Sequence, residues 1–171
     1  NLAAIQQQYA DIEHHLIHFL ENHDEQRIAS PEFAGNAAIG MPAMVVSATI
    51  STAPTLLYFA QEVGEKGEGN PGFGKTSRWG VPAHQRWMNN GKFDGGALTP
   101  QENALRDFYA QLMTFVRNSP ALMGAYKEIH TTNKNTAGYD GQLFSFARWS
   151  TEQKLLIVSN FSATNTKRFS L

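Results

Sequence analysis

Leu16-Ile17-His18-Phe19-Leu20-Glu21-Asn22-His23-Asp24 is the stretch from which the rest of the chain is interpreted. An apolar run of strand length ends abruptly in a polar His–Asp pair. In an α/β barrel the strands are buried, and their carboxyl ends open into the mouth where catalytic groups lie. The pattern therefore predicts a buried strand over 15–21, with Asp24 at its open end.

The composition is that of ordinary globular material. The chain has 171 residues, of which 42% are hydrophobic and 11% aromatic, enough for one domain or one and a half. Its net charge is −1 with both signs scattered, so it lacks the basic stripe of a nucleic-acid-binding protein. No apolar run approaches the ~18–20 residues that span a bilayer. The absence of cysteine excludes disulfides and thiolate metal sites without identifying the compartment. Because the first residue is Asn1 rather than Met, we expect a processed chain or a fragment.

The first third of the chain has the pattern of one βαβ unit. The second strand of this unit, over 55–59, shows no alternation of polar and apolar residues, which is typical of a parallel sheet covered on both faces. The predicted elements are, in order, a helix over 2–13, a strand over 15–21, a polar loop over 22–33, a helix over 37–50 that Pro42 begins or kinks, and a strand over 55–59.

The sequence after residue 59 predicts a long loop, one helix with a clear start signal and a small β-domain. Residues 60–98 are rich in Gly, Pro and Asn, and we interpret them as an active-site or surface loop. Thr99, Pro100 and Glu102 form the capping box of a helix that ends near residue 119. After Pro120 the hydrophobic period changes to two. The predicted strands are 124–132, 142–149, 154–161 and 167–171, which places a domain boundary between 1–119 and 120–171.

Four segments resemble the α-amylase family of glycoside hydrolases, in the family's order. Phe19 to Arg27 resembles the Asn-His-Asp segment at the end of the seventh barrel strand. Thr55 to Gly64 resembles the eighth strand and the Gln-Glu turn after it. Leu105 to Tyr109 resembles the last barrel helix. Gln142 to Arg148, followed by Lys154 to Ser162, resembles the strands of the C-terminal β-domain. The resemblance implies an α/β fold, the C-terminal part of a (β/α)8 TIM barrel followed by an antiparallel β-sandwich-type domain.

The same resemblance implies roles for individual residues. Asp24 would be the family's third catalytic carboxylate, which helps distort the sugar and stabilises positive charge at the reacting carbon. His23 would hydrogen-bond a hydroxyl of the same sugar, and Asn22 would also bind substrate. The alternative for Asp24, taken by itself, is a loop-starting residue that caps the next turn.

Three further side chains are candidates for the same site. Arg27 would bind the sugar, or it would form an ion pair with Glu25 or Glu32. Gln61 and Glu62 follow the second predicted strand and are expected to point toward the barrel mouth, where Glu62 would support the site by hydrogen bonding.

One carboxylate cannot carry out the family reaction. Retaining glycosidases need a nucleophile and an acid/base carboxylate about 5–5.5 Å apart, and no segment here resembles the motifs that supply them. We therefore expect part of a retaining α-glucoside hydrolase that acts on α-glucan or maltooligosaccharide, and a chain that is inactive alone. A non-catalytic carbohydrate-binding or structural module is the alternative. No cofactor and no metal are predicted, because the family's calcium site depends on segments with no match here.

Other motifs point to other functions. Gly69 to Thr76 satisfies the phosphate-loop pattern, but no strand directly precedes it and Pro82 lies where a helix should begin, so nucleotide binding is a remote alternative. His14, His15 and His18 suggest a metal site, since His14 and His18 are four residues apart, yet no carboxylate cluster completes it. We expect a structural or solvated role for these histidines.

Two surface predictions remain. Trp79, Trp87 and Phe93 could stack on sugar rings, although we expect at least two of them to pack the long loop instead. Strand edges of an incomplete barrel would be exposed, which predicts self-association.

Overall fold

A computed structural model describes residues 2–67 and 82–170. The helices are α1 Leu2–Gln8, α2 Met41–Thr49, α3 Pro82–Met88, α4 Pro100–Arg117 and α5 His130–Asn133. The strands are β1 Ala125–Glu128, β2 Leu143–Trp149 and β3 Lys154–Asn160. Short 3₁₀ turns lie at Glu13–His15, Ala37–Gly40, Gln61–Val63, Asn89–Gly91 and Pro120–Met123. None of the helices described here is long and apolar enough to cross a membrane.

The chain divides into two compact units. Unit 1 takes the residues up to His18, Pro42–Thr55 and the residues from Phe115 onward. Unit 2 takes Phe19–Met41 and Leu56–Thr114. The predicted domain boundary after residue 119 stays a prediction.

The three strands of unit 1 form an antiparallel sheet in the order β1-β2-β3. β2 pairs with β3 from Leu143 opposite Asn160 to Trp149 opposite Lys154. Exposed and covered residues alternate along β3, as expected for a strand with one solvated face. The core of this unit consists of Val46, Ile50, Leu122, Phe144, Phe146 and Ile157.

Arg148 lies inside this core, 1% exposed. Its guanidinium donates to the carbonyl oxygens of Thr49, Leu122 and Gly124. A planar guanidinium with five donors can serve several carbonyl groups at once. Arg148 therefore connects β2, on which it lies, to the end of α2 and to the turn before β1.

Unit 2 has its own small core of Ala60, Val63, Ala83 and Leu98, with Phe59 and Trp87 packed against it. The predicted capping box is present at the start of α4. The Glu102 carboxylate accepts from the Thr99 backbone N–H at 2.8 Å, and the Thr99 hydroxyl accepts from the Glu102 N–H at 3.2 Å. Leu105, Tyr109 and Leu112 are the buried residues of α4, whereas Phe115 is 43% exposed.

The two predicted barrel strands are much shorter than expected. In place of strands over 15–21 and 55–59, the structure has an isolated parallel bridge between His18 and Thr55. The His18 N–H donates to the carbonyl of Pro54 at 2.9 Å. The parallel direction agrees with the prediction, but the prediction of extended strands was wrong. A strand of a parallel sheet is held by neighbours on both edges, and His18 and Thr55 are joined here by a single bridge.

Several other predicted boundaries also differ. α1 ends at Gln8, not near residue 13, and Pro42 lies in the first turn of α2, so it begins that helix rather than kinking it. The strand predicted over 124–132 stops at Glu128, because residues 130–133 turn into α5. Residues 167–170 form no strand. The predicted long loop contains α3 in its described part.

Candidate functional site

The Asn-His-Asp segment forms a tight turn in unit 2. The Asn22 side-chain oxygen accepts hydrogen bonds from the backbone N–H groups of Asp24 at 2.8 Å and Glu25 at 2.9 Å. Asn and Asp residues favour such turns because their short side chains reach the backbone two or three residues on. The Asn22 amide thus has a structural role in this turn, and its predicted contact with substrate stays a prediction.

His23 and Asp24 are presented to solvent by this turn. The His23 Nε2 lies 3.3 Å from Asp24 Oδ2, and the two side chains are 42% and 61% exposed. An exposed carboxylate beside an imidazole offers acceptors and a donor to a polyhydroxylated ligand. These two side chains form the part of the segment that a sugar could reach.

The turn begins and ends at a buried ion pair. Arg27 Nε lies 2.7 Å from Glu21 Oε2, and the two side chains are only 1% and 3% exposed. The other Glu21 oxygen accepts from the Ile28 N–H at 2.8 Å. One carboxylate therefore holds the chain on the far side of the turn at two points.

Arg27 also contacts the segment after the second predicted strand. Its guanidinium donates to the Phe59 carbonyl at 2.7 Å and lies 5.0 Å from the centre of the Tyr58 ring. Its carboxylate partner is Glu21, not Glu25 or Glu32 as considered from the sequence. Direct sugar binding by Arg27 stays a prediction, and in this structure the side chain is buried.

Burial controls the electrostatics of this pair. Removal from water raises the pKa of the Glu21 carboxyl, while the Arg27 guanidinium and the Ile28 N–H oppose part of that shift. A second buried carboxylate, Glu65, adds to the rise by repulsion. Glu65 itself accepts from the Gly67 N–H at 3.1 Å and from the Ala83 N–H at 3.0 Å, at the start of α3.

Gln61 is buried rather than open to a ligand. It is 2% exposed, donates to the Tyr109 hydroxyl at 3.0 Å, and accepts from the Tyr58 N–H at 3.1 Å. Glu62 is half-buried. The sequence analysis does not predict a role in the site for Glu21, Glu65 or Tyr109. For Glu21, the available signal was its position as a charged residue at the end of an apolar run, with an arginine six positions later.

The aromatic residues of the long loop pack partly on one another. Trp87 stacks on His84 at 5.7 Å between ring centres and meets Phe93 edge-on at 5.7 Å. Phe93 remains 52% exposed. Trp79 and the phosphate-loop pattern over 69–76 lie outside the described residues.

His18 belongs to unit 1 and has two polar neighbours there. Its Nδ1 lies 2.9 Å from the Ser47 carbonyl oxygen and its Nε2 lies 2.7 Å from a Glu13 oxygen. These contacts give His18 a structural role. Across residues 2–67 and 82–170, no three His, Asp or Glu side chains are placed to hold a metal ion together.

Comparison with known proteins gives a likeness of fold. No family model and no curated protein matches the chain. Among solved structures, the trehalose-6-phosphate hydrolase TreA of Bacillus licheniformis matches with a TM-score of 0.55 and 14% identity over 94% of this chain. A variant of the trehalulose synthase MutB matches with a TM-score of 0.51 and 16% identity over 86% of this chain.

This chain spans only 38% of the length of the hydrolase and 35% of that of the synthase. At such identities the likeness concerns the fold alone. The chain therefore shares its fold with a portion of these larger enzymes, and the predicted resemblance to a fragment of an α-amylase-family glycoside hydrolase is confirmed at the level of the fold.

Proposed function

We propose that the chain is the C-terminal portion of a retaining α-glucoside hydrolase or transglycosylase, in which Asp24 stabilises the transition state. The portion would comprise the last part of a (β/α)8 barrel followed by a β-sandwich-type domain. The observation that carries the proposal is the exposed Asp24 carboxylate, 3.3 Å from His23 on a turn held by Asn22. The likeness of fold to two sugar-converting enzymes supports it.

The chemistry explains these residue types. Cleavage of a glycosidic bond passes through an oxocarbenium-like state, which a nearby carboxylate stabilises by its negative charge. The His23 imidazole can donate to a sugar hydroxyl and so orient the ring. The nucleophile and the proton donor would come from the rest of the enzyme, and the chain alone is inactive.

The substrate class is α-glucan or maltooligosaccharide. Because one structural neighbour is named for trehalose-6-phosphate and the other for trehalulose, small α-glucosides such as trehalose belong in the same test. A carbohydrate-binding module without catalysis is the competing function, since only one catalytic carboxylate is recognised in the chain.

The test is a titration of the ¹⁵N-labelled chain with maltotetraose and with trehalose, together with an assay for new reducing ends. We expect amide shifts at residues 22–24 and no turnover. Asp24→Ala should abolish the binding, whereas Glu25→Ala, its exposed neighbour, should preserve it. Turnover at enzyme-like rates would refute the assignment as an inactive portion. Binding that survives Asp24→Ala would favour the module.

A further inference from the structure

We propose that Glu21 and Arg27 are positioning residues, which hold the turn of Asn22, His23 and Asp24 in the orientation in which it meets the sugar. The inference rests on the proposed function, and it assigns to the buried pair a role that the exposed residues cannot fill themselves. Both side chains are almost fully buried, so both would act by holding the turn rather than by contacting a sugar directly.

The pair closes the turn into a ring of contacts. Glu21 stands directly before the turn, and both of its oxygens are used on the far side, by Arg27 Nε and the Ile28 N–H. Inside that ring, the Asn22 side chain holds the N–H groups of Asp24 and Glu25. The backbone on both sides of Asp24 is therefore tied by short polar contacts.

Arg27 also fastens this ring to another segment of the same unit. Its guanidinium donates to the Phe59 carbonyl and lies over the Tyr58 ring. A planar group with fixed donors can serve a carboxylate and a carbonyl at once, which a lysine ammonium does less well. The turn is thereby placed relative to residues 58–59, and not only closed on itself.

The energetics of buried charge also favour an orienting role for the pair. Burying an ion pair costs much of the solvation of both ions, and well-packed apolar side chains at such places are often equally stable or more so. Stability alone does not account for a glutamate and an arginine here. The directed hydrogen bonds that the two side chains form with the Ile28 N–H and the Phe59 carbonyl do, because they specify one conformation of the turn where apolar contacts would allow several.

The experiment measures amide hydrogen exchange of the whole chain without sugar. In Glu21→Gln, one acceptor oxygen remains for two donors, and in Arg27→Gln the charge and the guanidinium fork are lost. We expect exchange at Asp24 and Glu25 to accelerate about tenfold in each, the factor for loss of one ordinary hydrogen bond. Amides of β2 and β3 in unit 1 should keep their wild-type rates.

Three further variants sharpen the result. The double variant should show no more acceleration than either single change, because breaking either side breaks the same contact. Arg27→Lys, which keeps the charge, should exchange more slowly at Asp24 and Glu25 than Arg27→Gln. It also keeps the proposal testable if Arg27→Gln fails to fold. Arg148→Gln, which removes a buried arginine of unit 1, should leave exchange at Asp24 unchanged. Unaltered exchange at Asp24 and Glu25 in both single variants would overturn the proposal.

Sugar binding separates this inference from the function on which it rests. If the wild-type turn is protected but maltotetraose produces no shifts, the proposed function fails while the effect of the pair on the turn is still measured. If the wild type binds, Arg27→Lys should bind more weakly in proportion to its loss of protection. If Arg27→Lys binds maltotetraose with wild-type affinity although its turn has lost protection from exchange, the pair does not position the site.

Discussion

The buried hydroxyl of Tyr109 determines the direction in which the Gln61 side chain points. The Gln61 amide follows a predicted strand and was expected to face the barrel mouth, yet its Nε2 donates to the Tyr109 hydroxyl inside unit 2. Burial raises the pKa of Tyr109 to about 12, so the phenol remains protonated over the ordinary pH range. Gln61 is thereby committed to the core rather than to a ligand.

Replacing Tyr109 by Phe should destabilise the chain by about 1–3 kcal/mol, because the Gln61 Nε2 is left buried without this acceptor. Equilibrium unfolding in urea measures the change. Tyr9→Phe is the matched control, since Tyr9 is 40% exposed and its change should stay within about 0.5 kcal/mol. Equal unfolding midpoints for Tyr109→Phe and the wild type would contradict the role given to this contact.

At the scale of an element, α4 is supported at its start by more than its capping box. The Arg86 side chain of α3 donates to both oxygens of Glu102, with Nε at 3.1 and 3.0 Å from them. The Arg86 contact lowers the pKa of Glu102, partly offset by burial and aided by the Thr99 N–H. A carboxylate near a helix N-terminus also interacts favourably with the helix dipole.

The lowered pKa of Glu102 fixes the sign of a pH effect. The folded state favours the ionised carboxylate, so its contribution to stability is present above the ordinary value of 4.5 and is lost as the pH falls through the lowered folded-state value. Glu102→Gln should therefore lower the melting temperature most near neutral pH, and the deficit should shrink in acid. Thermal melts over a pH series measure this.

Asp107→Asn provides the control for that series, because Asp107 is an exposed carboxylate on the same helix. Its melting temperature should follow the wild type closely at each pH. A deficit for Glu102→Gln that stays constant, or grows as the pH falls, would show that the carboxylate charge is not what stabilises the start of α4.

For the whole molecule, the main feature is an apolar stretch of unit 1 that remains exposed. Its side chains begin in α1 and continue through the turns that follow it, and they are 37–53% exposed. They are Leu2, Ile5, Tyr9, Ile12, Leu16 and Ile17. This concentration of large exposed apolar side chains in one segment is a feature expected of an interaction site. It supports the proposal that the chain self-associates or pairs with the remainder of a larger enzyme.

Light scattering over a concentration series tests that proposal. We expect the average mass to rise above that of a monomer, and Ile5→Lys with Ile17→Lys should return it toward 19.0 kDa. Met123→Lys is the control, because Met123 is 74% exposed but lies outside the stretch, and it should associate like the wild type. A monomeric wild type at every concentration would contradict self-association.

Local patterns determined the parts of this protein that depend on residues a few positions apart. Thr99 and Glu102 form their capping box because both partners lie within one turn. β2 and β3 follow from two short runs rich in aromatic and β-branched residues, joined by a short loop. The resemblance of the segment at Phe19 to Arg27 likewise led to the fold that the solved structures share.

Tertiary structure decided everything that depends on a distant partner. Arg27 meets Glu21 and the Phe59 carbonyl rather than Glu25, and Gln61 turns inward to a tyrosine 48 positions away. The apolar runs at 15–21 and 55–59 share one bridge instead of a ladder, because hydrophobicity predicts burial but strand pairing needs neighbours that composition does not specify. A buried charge or a strand edge takes its partner from the folded chain, and no short pattern of residues contains that information.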